Sequence, residues 1–236
     1  MPSWSIHLKI AKGVNEKLKL DRDNFYYGNL IPDVDKDTKI GRYKAHYYNS
    51  NLPFFNCPKE EMIDIDKFLK DYKKNLNNPL VLGYYSHLLT DNYFNDYVYS
   101  NCWVLDKDKN IIGIKLKNGN VLNLDLENSK KIRQKYKHRD FELYGKYLFF
   151  CEKFDLNFDN KKIIENIDVL NDRFLNIELV NNRIKYLNTS FKKFNRLSLF
   201  EKIFKHRYVL FDKNELDRLI DDCTNYVVGE IEKIIG

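Results

Sequence analysis

The sequence predicts a mostly α-helical protein with one small β-hairpin insertion. Over most of the chain, apolar residues recur at three- and four-residue steps, which is the period of an amphipathic helix. The exception is the stretch 103–126, where apolar and polar residues alternate on both sides of Asn118-Gly119, a dipeptide that favours a tight hairpin turn. We expect a single domain over 1–236, with a helical continuation, 127–236, after the hairpin.

The sequence pattern in the first half of the chain predicts three helices. Ser5–Leu18 has an apolar stripe that includes His7, so this histidine should lie on the buried face of the first helix. Pro58 is suited to the first turn of a second helix, which should continue to about Leu76. The third helix should cover Leu80–Tyr99.

Other segments are assigned by the same signals. Residues 28–41, GNLIPDVDKDTKIG, combine Gly, Pro and Asp and predict a loop. After the hairpin, helical periodicity resumes at Ser129 and continues through Lys161–Thr189 and Glu215–Ile235.

The composition excludes several classes of protein. The hydrophobic fraction of 43% is too high for a disordered chain, and a net charge of +6 is too small to indicate a nucleic-acid-binding surface by itself. The four cysteines form no Cys-x-x-Cys pair, so neither a thiolate zinc knuckle nor a disulfide framework is expected. The N-terminal residues lack the apolar core of a signal peptide, and no run has transmembrane length, so we expect a cytoplasmic protein with no integral membrane segment.

The segment LGYYSHLLTDNYFND places His87 and Asp91 four residues apart in apolar, aromatic surroundings. On a helix, both side chains project from one face, and an imidazole with a carboxylate is a ligand pair that suits zinc. A hydrogen-bonded structural pair is the alternative. His7, His46 and Asp33 also lie in apolar or aromatic surroundings within the first hundred residues, where an unpaired histidine is costly to bury. Together these five residues predict a metal site.

The order His7, Pro32-Asp33, His46 and His87-x-x-x-Asp91 resembles the zinc-dependent phospholipase C and fungal single-strand nuclease superfamily. The beginning MPSWSIHLKIA and the GNLIPDVD segment are similar to uncharacterised cytosolic bacterial members of that group. The resemblance covers residues 1–99 and is weaker over 127–236.

The resemblance implies a multi-helix, phospholipase C-like bundle around two or three zinc ions. It implies that His7 binds one ion, that His46, His87 and Asp33 surround another, and that Asp91 bridges the two. Asp33 is also implied as the catalytic base, with Asp35 as the alternative.

The second half of the family's ligand set is not obvious in this sequence. The family has a further histidine soon after the His-x-x-x-Asp pair and then a His-x-x-x-Glu pair. Here Asp96 is the nearest substitute, and a His-x-x-x-Glu pair occurs only at His138 and Glu142, with Asp140 as a competing ligand. A histidine on a Lys- and Arg-rich helix is equally well explained as a solvated side chain. His206 has no partner pattern and is expected to be a structural or surface residue.

The expected activity is zinc-dependent hydrolysis of phosphodiesters by metal-activated water. The substrate would be a small phosphodiester or a phospholipid headgroup, with nucleic acid as second choice, and a metal-binding protein without turnover is the third alternative. Aromatic residues of the third helix could line a substrate cleft, although core packing is the commoner role of such residues. These residues are Tyr84, Tyr93 and Phe94.

Overall fold

The structure is a computed structural model. It describes residues 2–37, 41–49, 62–125, 128–152, 154–170, 178, 180–182, 184–185 and 208–236. The helices of this part are α1 (Trp4–Leu18), α2 (Arg22–Leu30), α3 (Gly41–Ala45), α4 (Ile65–Asp71), α5 (Pro79–Cys102), α6 (Ser129–Glu152), α7 (Asn160–Asn166) and α8 (Lys213–Ile235). Two 3-10 turns cover Ile31–Asp37 and Ile167–Leu170.

A three-stranded antiparallel sheet lies between α5 and α6 along the chain. Its strands are β1 (Trp103–Leu105), β2 (Ile111–Lys115) and β3 (Val121–Asn123), paired in that order. Gly119, in the turn between β2 and β3, has φ of 83°, as the Asn-Gly signal requires. The predicted fold class, mostly α with a small β insertion, is therefore confirmed.

Local signals explain where the long helices begin. The Asn78 side chain accepts a hydrogen bond from the Leu80 backbone N–H at 2.9 Å, and Pro79 occupies the first position of α5. At the start of α8, Asp212 and Glu215 form a reciprocal capping box. These caps satisfy backbone donors that the first turn of a helix leaves unpaired.

Two assignments made from the sequence differ from the structure. The predicted loop 28–41 is wrong over most of its described length, because residues 28–30 end α2 and Ile31–Asp37 form a 3-10 turn. Burial of Leu30, Ile31 and Val34 keeps this segment folded against the core despite its Pro and Asp residues. The second predicted helix has its start at Pro58 outside the described residues. Its described part, Ile65–Asp71, ends before the predicted Leu76.

Helices α2 and α5 cross with their backbones in direct contact. A methyl group on Gly28 would overlap the carbonyl oxygen of Leu80, and one on Gly83 would overlap the carbonyl oxygen of Phe25. Only glycine permits such an approach from both sides. The crossing brings the C-terminal end of α2 against the middle of α5, the part of the helix that contains His87.

Helix α1 completes the surroundings of this region by packing against α2, α5, α6 and α8. Lys9 and Lys12 anchor it to the end of α6 through Glu152, at 2.6 and 2.8 Å. His7 lies on its buried face, as predicted. Within the described ranges, none of the helices is both long and apolar enough to cross a membrane.

Candidate metal centre

The structure brings five polar residues from four separate segments of the chain together in the core, and we call them the His/Asp cluster. Their side chains form two groups, His7 with Asp33 and His87, and His46 with His87 and Asp91, and the potential ligand atoms of each group lie within 4.8 Å of one another. The cluster consists of His7 from α1, Asp33 from the first 3-10 turn, His46 directly after α3, and His87 and Asp91 from α5. Buried His and Asp groups here could hold a metal ion.

The distances within the cluster are compatible with ligands around a shared ion. His87 Nε2 lies 3.3 Å from His46 Nε2 and 3.4 Å from Asp91 Oδ2. His46 Nε2 lies 3.3 Å from Asp33 Oδ1, and His7 Nε2 lies 3.4 Å from Asp91 Oδ1. Ligand atoms around a tetrahedral zinc with bonds of about 2.0–2.1 Å are separated by about 3.3–3.4 Å. Direct charge-assisted hydrogen bonds are shorter, about 2.7–2.9 Å.

The cluster is removed from solvent, and part of it lacks hydrogen bonds. Asp33 is the most exposed member, with 11% of its side chain accessible, whereas the other four residues are buried. Both ring nitrogens of His7 and both carboxylate oxygens of Asp91 are buried without a hydrogen bond of acceptable geometry, although ionic partners lie within 4 Å. Burying a carboxylate without hydrogen bonds costs free energy, and a bound cation would offset this cost.

Two backbone carbonyls fix the tautomers of His46 and His87. His87 Nδ1 lies 2.8 Å from the carbonyl oxygen of Asn29, and His46 Nδ1 lies 3.2 Å from that of Arg42. Because a carbonyl oxygen only accepts, each Nδ1 carries the proton and each neutral ring presents an unprotonated Nε2. This arrangement is common for metal-binding histidines, whose second nitrogen is held by the protein.

The electrostatics favour the ligand forms of most of these groups. Burial lowers the pKa of His7 to about 4, with a further contribution from His87, and burial also lowers the pKa of His46. Burial opposes ionisation of Asp91, but the charge of His87 and the contact with His7 outweigh it and hold the Asp91 pKa well below its usual range. His7 and His46 are therefore neutral and Asp91 is ionised near neutral pH.

The pKa values of His87 and Asp33 are shifted by oppositely charged groups of the cluster. Burial works against protonation of His87, but the nearby carboxylates of Asp91 and Asp33 raise its pKa. Burial also opposes ionisation of Asp33, yet the contact with His46 and then the charge of His87 outweigh it and lower the Asp33 pKa. A metal cation in place of the His87 proton would neutralise the same two carboxylates, Asp91 and Asp33.

The two oxygens of Asp91 face different imidazoles. Oδ1 is nearest to His7, and Oδ2 is nearest to His87 and then to His46, at 3.7 Å. The rings of His7 and His87 stack in parallel, with centroids 3.9 Å apart. A carboxylate that bridges two ions needs this division of its oxygens.

The further candidate ligands are not among the groups found in the described part of the chain. His138 and Glu142 lie on the exposed face of α6, and Asp96 is half-buried on α5. Asp140 is buried, but its carboxylate accepts hydrogen bonds from the backbone N–H groups of residues 209–211. His206 and the side chain of Asp35 lie outside the described residues.

The aromatic residues considered for a substrate cleft belong mainly to the core. Tyr84 is buried and its hydroxyl donates to the carbonyl oxygen of Ala45, and Phe94 packs edge-on against Phe141. Tyr93 is partly exposed. These positions favour the packing role that the sequence also allowed.

Several residues that shape the cluster were not identified from the sequence. Gly28 and Gly83 allow the helix crossing, and Asn29 supplies the carbonyl that orients His87. Arg42 contacts Asp33, with its Nη1 3.3 Å from Oδ1. A glycine inside each of two apolar helices is a signal for close packing that could have been used.

Comparisons of the chain with protein-family models, curated proteins and solved structures gave no match. The candidate metal centre therefore rests on the residues and geometry of this chain.

Proposed function

We propose that this protein is a zinc-dependent hydrolase of phosphodiesters of the phospholipase C type. The observation that supports the proposal is the His/Asp cluster itself, five potential ligands in the core, with buried atoms that have no hydrogen bond and separations suited to a shared ion. The order of these ligands along the chain resembles the phospholipase C and nuclease superfamily.

Zinc is the proposed metal because three of the five ligands are imidazoles. Nitrogen-rich sites favour zinc over magnesium or calcium, which prefer oxygen ligands. We propose two or three ions, with His7 at one, His46, His87 and Asp33 at another, and Asp91 between them. Bound zinc supplies a Lewis acid for a phosphoryl oxygen and lowers the pKa of a coordinated water to about 7.

Asp33 is proposed to lie at the substrate side of the cluster, because its side chain is the most exposed of the five. Its low pKa makes the carboxylate a weak proton acceptor, which favours the role of ligand over that of general base. The neighbouring Arg42 guanidinium adds positive charge on this side, where an anionic phosphodiester would approach.

A metal-binding protein without turnover is the second candidate. The observation in its favour is the complete burial of His7, His46, His87 and Asp91, since a catalytic ion needs an open coordination position for water or substrate. Metal binding without hydrolysis of any phosphodiester would support this candidate.

The test begins with metal content. Protein purified without chelators is analysed by elemental mass spectrometry as wild type, as His87→Ala/Asp91→Ala, and as His138→Ala, the matched control on the exposed face of α6. We expect two or three zinc ions in wild type and control and depletion in the double variant. Absence of metal in the wild type, even after zinc is added back, would defeat the proposal.

The second step is a panel of phosphodiesters offered to the zinc-loaded protein. Bis(p-nitrophenyl) phosphate tests for general phosphodiesterase activity, a short-chain phosphatidylcholine for the phospholipase C reaction, and single-stranded DNA for a nuclease. Hydrolysis that the double variant loses and the His138→Ala control keeps would support the proposal. Preferential cleavage of DNA would move the assignment to a nuclease.

A further inference from the structure

The orientation of His46 needs an explanation beyond its own helix. His46 follows α3, which has only five residues, and helices this short are not stable by themselves. Nevertheless, its Nε2 lies 3.3 Å from both Asp33 Oδ1 and His87 Nε2 in the core. Another part of the fold must therefore hold the chain at this point.

The next residue, Tyr47, has an unusual backbone conformation. Its φ is 54°, in the left-handed region, although it is a bulky residue and 4% exposed. This conformation is disfavoured for such side chains and persists only where the surrounding structure enforces it. Of the three described non-glycine residues with positive φ, Tyr47 is the one adjacent to the His/Asp cluster.

Contacts with α4 and α5 enforce this conformation. The Tyr47 ring packs edge-on against Phe68 of α4, at 5.3 Å between centroids, and against Tyr84 of α5, at 6.1 Å. Its hydroxyl donates to Asp71 Oδ2 at 3.1 Å, and its backbone carbonyl accepts from the Asp64 N–H at 2.9 Å. Ring, hydroxyl and backbone are thus all held at the same time.

We propose that Tyr47 is a positioning residue whose left-handed backbone, held by α4, aims His46 into the metal centre. The reversal of the chain at this residue allows the Tyr47 ring to pack on α4 while the preceding imidazole points towards Asp33 and His87. The inference rests on the proposed function only in taking His46 as a metal ligand, and it makes α4 part of the support of the site.

The test compares two residues with the same backbone φ. Lys19, the C-cap of α1, also has φ of 54° but is exposed, and it lies at the opposite end of α1 from His7. Tyr47→Val and Lys19→Val each place a β-branched side chain in the left-handed region, which such residues resist. Tyr47→Phe keeps the ring and the backbone and removes only the hydroxyl. The readouts are zinc affinity, by competition with a chromophoric chelator, and the ring nitrogen NMR signals of His46 in metal-free protein.

We expect Tyr47→Val to weaken zinc affinity by about tenfold or more and to shift the His46 signals, as for other residues that orient metal ligands. Lys19→Val should lower the thermal midpoint without changing either readout, and Tyr47→Phe should stay within about threefold of wild type. A folded Tyr47→Val protein with wild-type affinity and unchanged His46 signals would overturn the inference.

Two further comparisons keep the test decisive. If Tyr47→Val does not fold, Tyr47→Asn and Tyr47→Ala replace it, because both lose the ring but asparagine tolerates the left-handed conformation better. Asparagine should bind zinc more tightly than alanine, and equal affinities would contradict the proposal. Zinc binding without hydrolysis would contradict the proposed hydrolase function but would leave the positioning role of Tyr47 unaffected. If the wild type binds no zinc, the His46 signals decide the positioning role by themselves.

Discussion

His46 Nε2 and His87 Nε2 face each other at 3.3 Å in the core, and each ring has its other nitrogen against a backbone carbonyl. Two unprotonated nitrogens in this position repel each other, so a proton or a metal ion must lie between them. Burial lowers the pKa of His46, whereas the carboxylates of Asp91 and Asp33 outweigh burial and raise that of His87. In the metal-free protein, His87 is therefore the ring that carries the shared proton.

Zinc should therefore stabilise the folded protein. At free zinc of about one hundred times the dissociation constant, linkage gives about 2.7 kcal/mol. For a chain of this size that corresponds to a rise of roughly 5–10 °C in the thermal midpoint. Differential scanning fluorimetry with added zinc, and again after chelation, measures the shift.

Variants of two histidines provide the contrast for this measurement. His87→Ala should abolish the zinc-dependent shift, whereas His138→Ala, on the exposed face of α6, should preserve it. An equal shift in wild type and His87→Ala would place the bound zinc elsewhere in the molecule.

Substitution at the glycine contact between α2 and α5 should weaken zinc binding, as substitution of a ligand does. In Gly83→Ala, the new methyl group overlaps the carbonyl oxygen of Phe25, so the helices must separate at a cost of about 3 kcal/mol or more. The separation also moves Asn29 away from His87 Nδ1 and should weaken zinc binding. Urea unfolding and zinc titration measure the two effects.

Gly229 of α8 is the matched control for this substitution. A methyl group there meets no atom within 4 Å. Because alanine is a better helix former than glycine, Gly229→Ala should be neutral or stabilising by up to about 1 kcal/mol, with zinc affinity unchanged. Similar destabilisation by both substitutions would show that the α2–α5 crossing is not the cause.

The sequence predicted the His/Asp cluster better than it predicted the surrounding chain. A histidine in an apolar stripe and an i, i+4 pair are local signals, and they identified His7, His87 and Asp91 as candidates without any knowledge of distant contacts. The segment 28–41 was mistaken for a loop because its polar residues are local, whereas the burial of Ile31 depends on packing with the rest of the fold.

Other features depend on contacts that no local pattern contains. The left-handed backbone at Tyr47 is enforced by residues of α4, and the tautomer of His87 is set by Asn29, 58 positions earlier. Side-chain types therefore indicated the chemistry of the site, while its geometry follows from tertiary packing.

The cysteines should differ sharply in reactivity. Cys102 and Cys223 are buried, and burial raises the pKa of the Cys102 thiol to about 12 and raises that of Cys223 as well. Because the thiolate is the reactive form, both should resist alkylation of the native protein at pH 8, whereas the exposed Cys151 should be labelled. Peptide mass spectrometry after iodoacetamide treatment distinguishes the sites. Rapid native labelling of Cys223 would contradict the packing of α8 on α5.

The carboxylate of Asp140 should be structural rather than a metal ligand. It accepts hydrogen bonds from Val209, Leu210 and Phe211 at 2.7–3.2 Å and so ties the segment before α8 to α6. Asp140→Ala leaves these backbone N–H groups without their acceptor and should destabilise the protein by roughly 3–5 kcal/mol. Glu142→Ala, on the exposed face of the same helix, should change stability by at most about 0.5 kcal/mol. Urea unfolding gives both values, and amide hydrogen exchange should accelerate selectively at residues 209–211. If Asp140→Ala instead removed zinc while leaving stability and exchange unchanged, the carboxylate would belong to the metal centre.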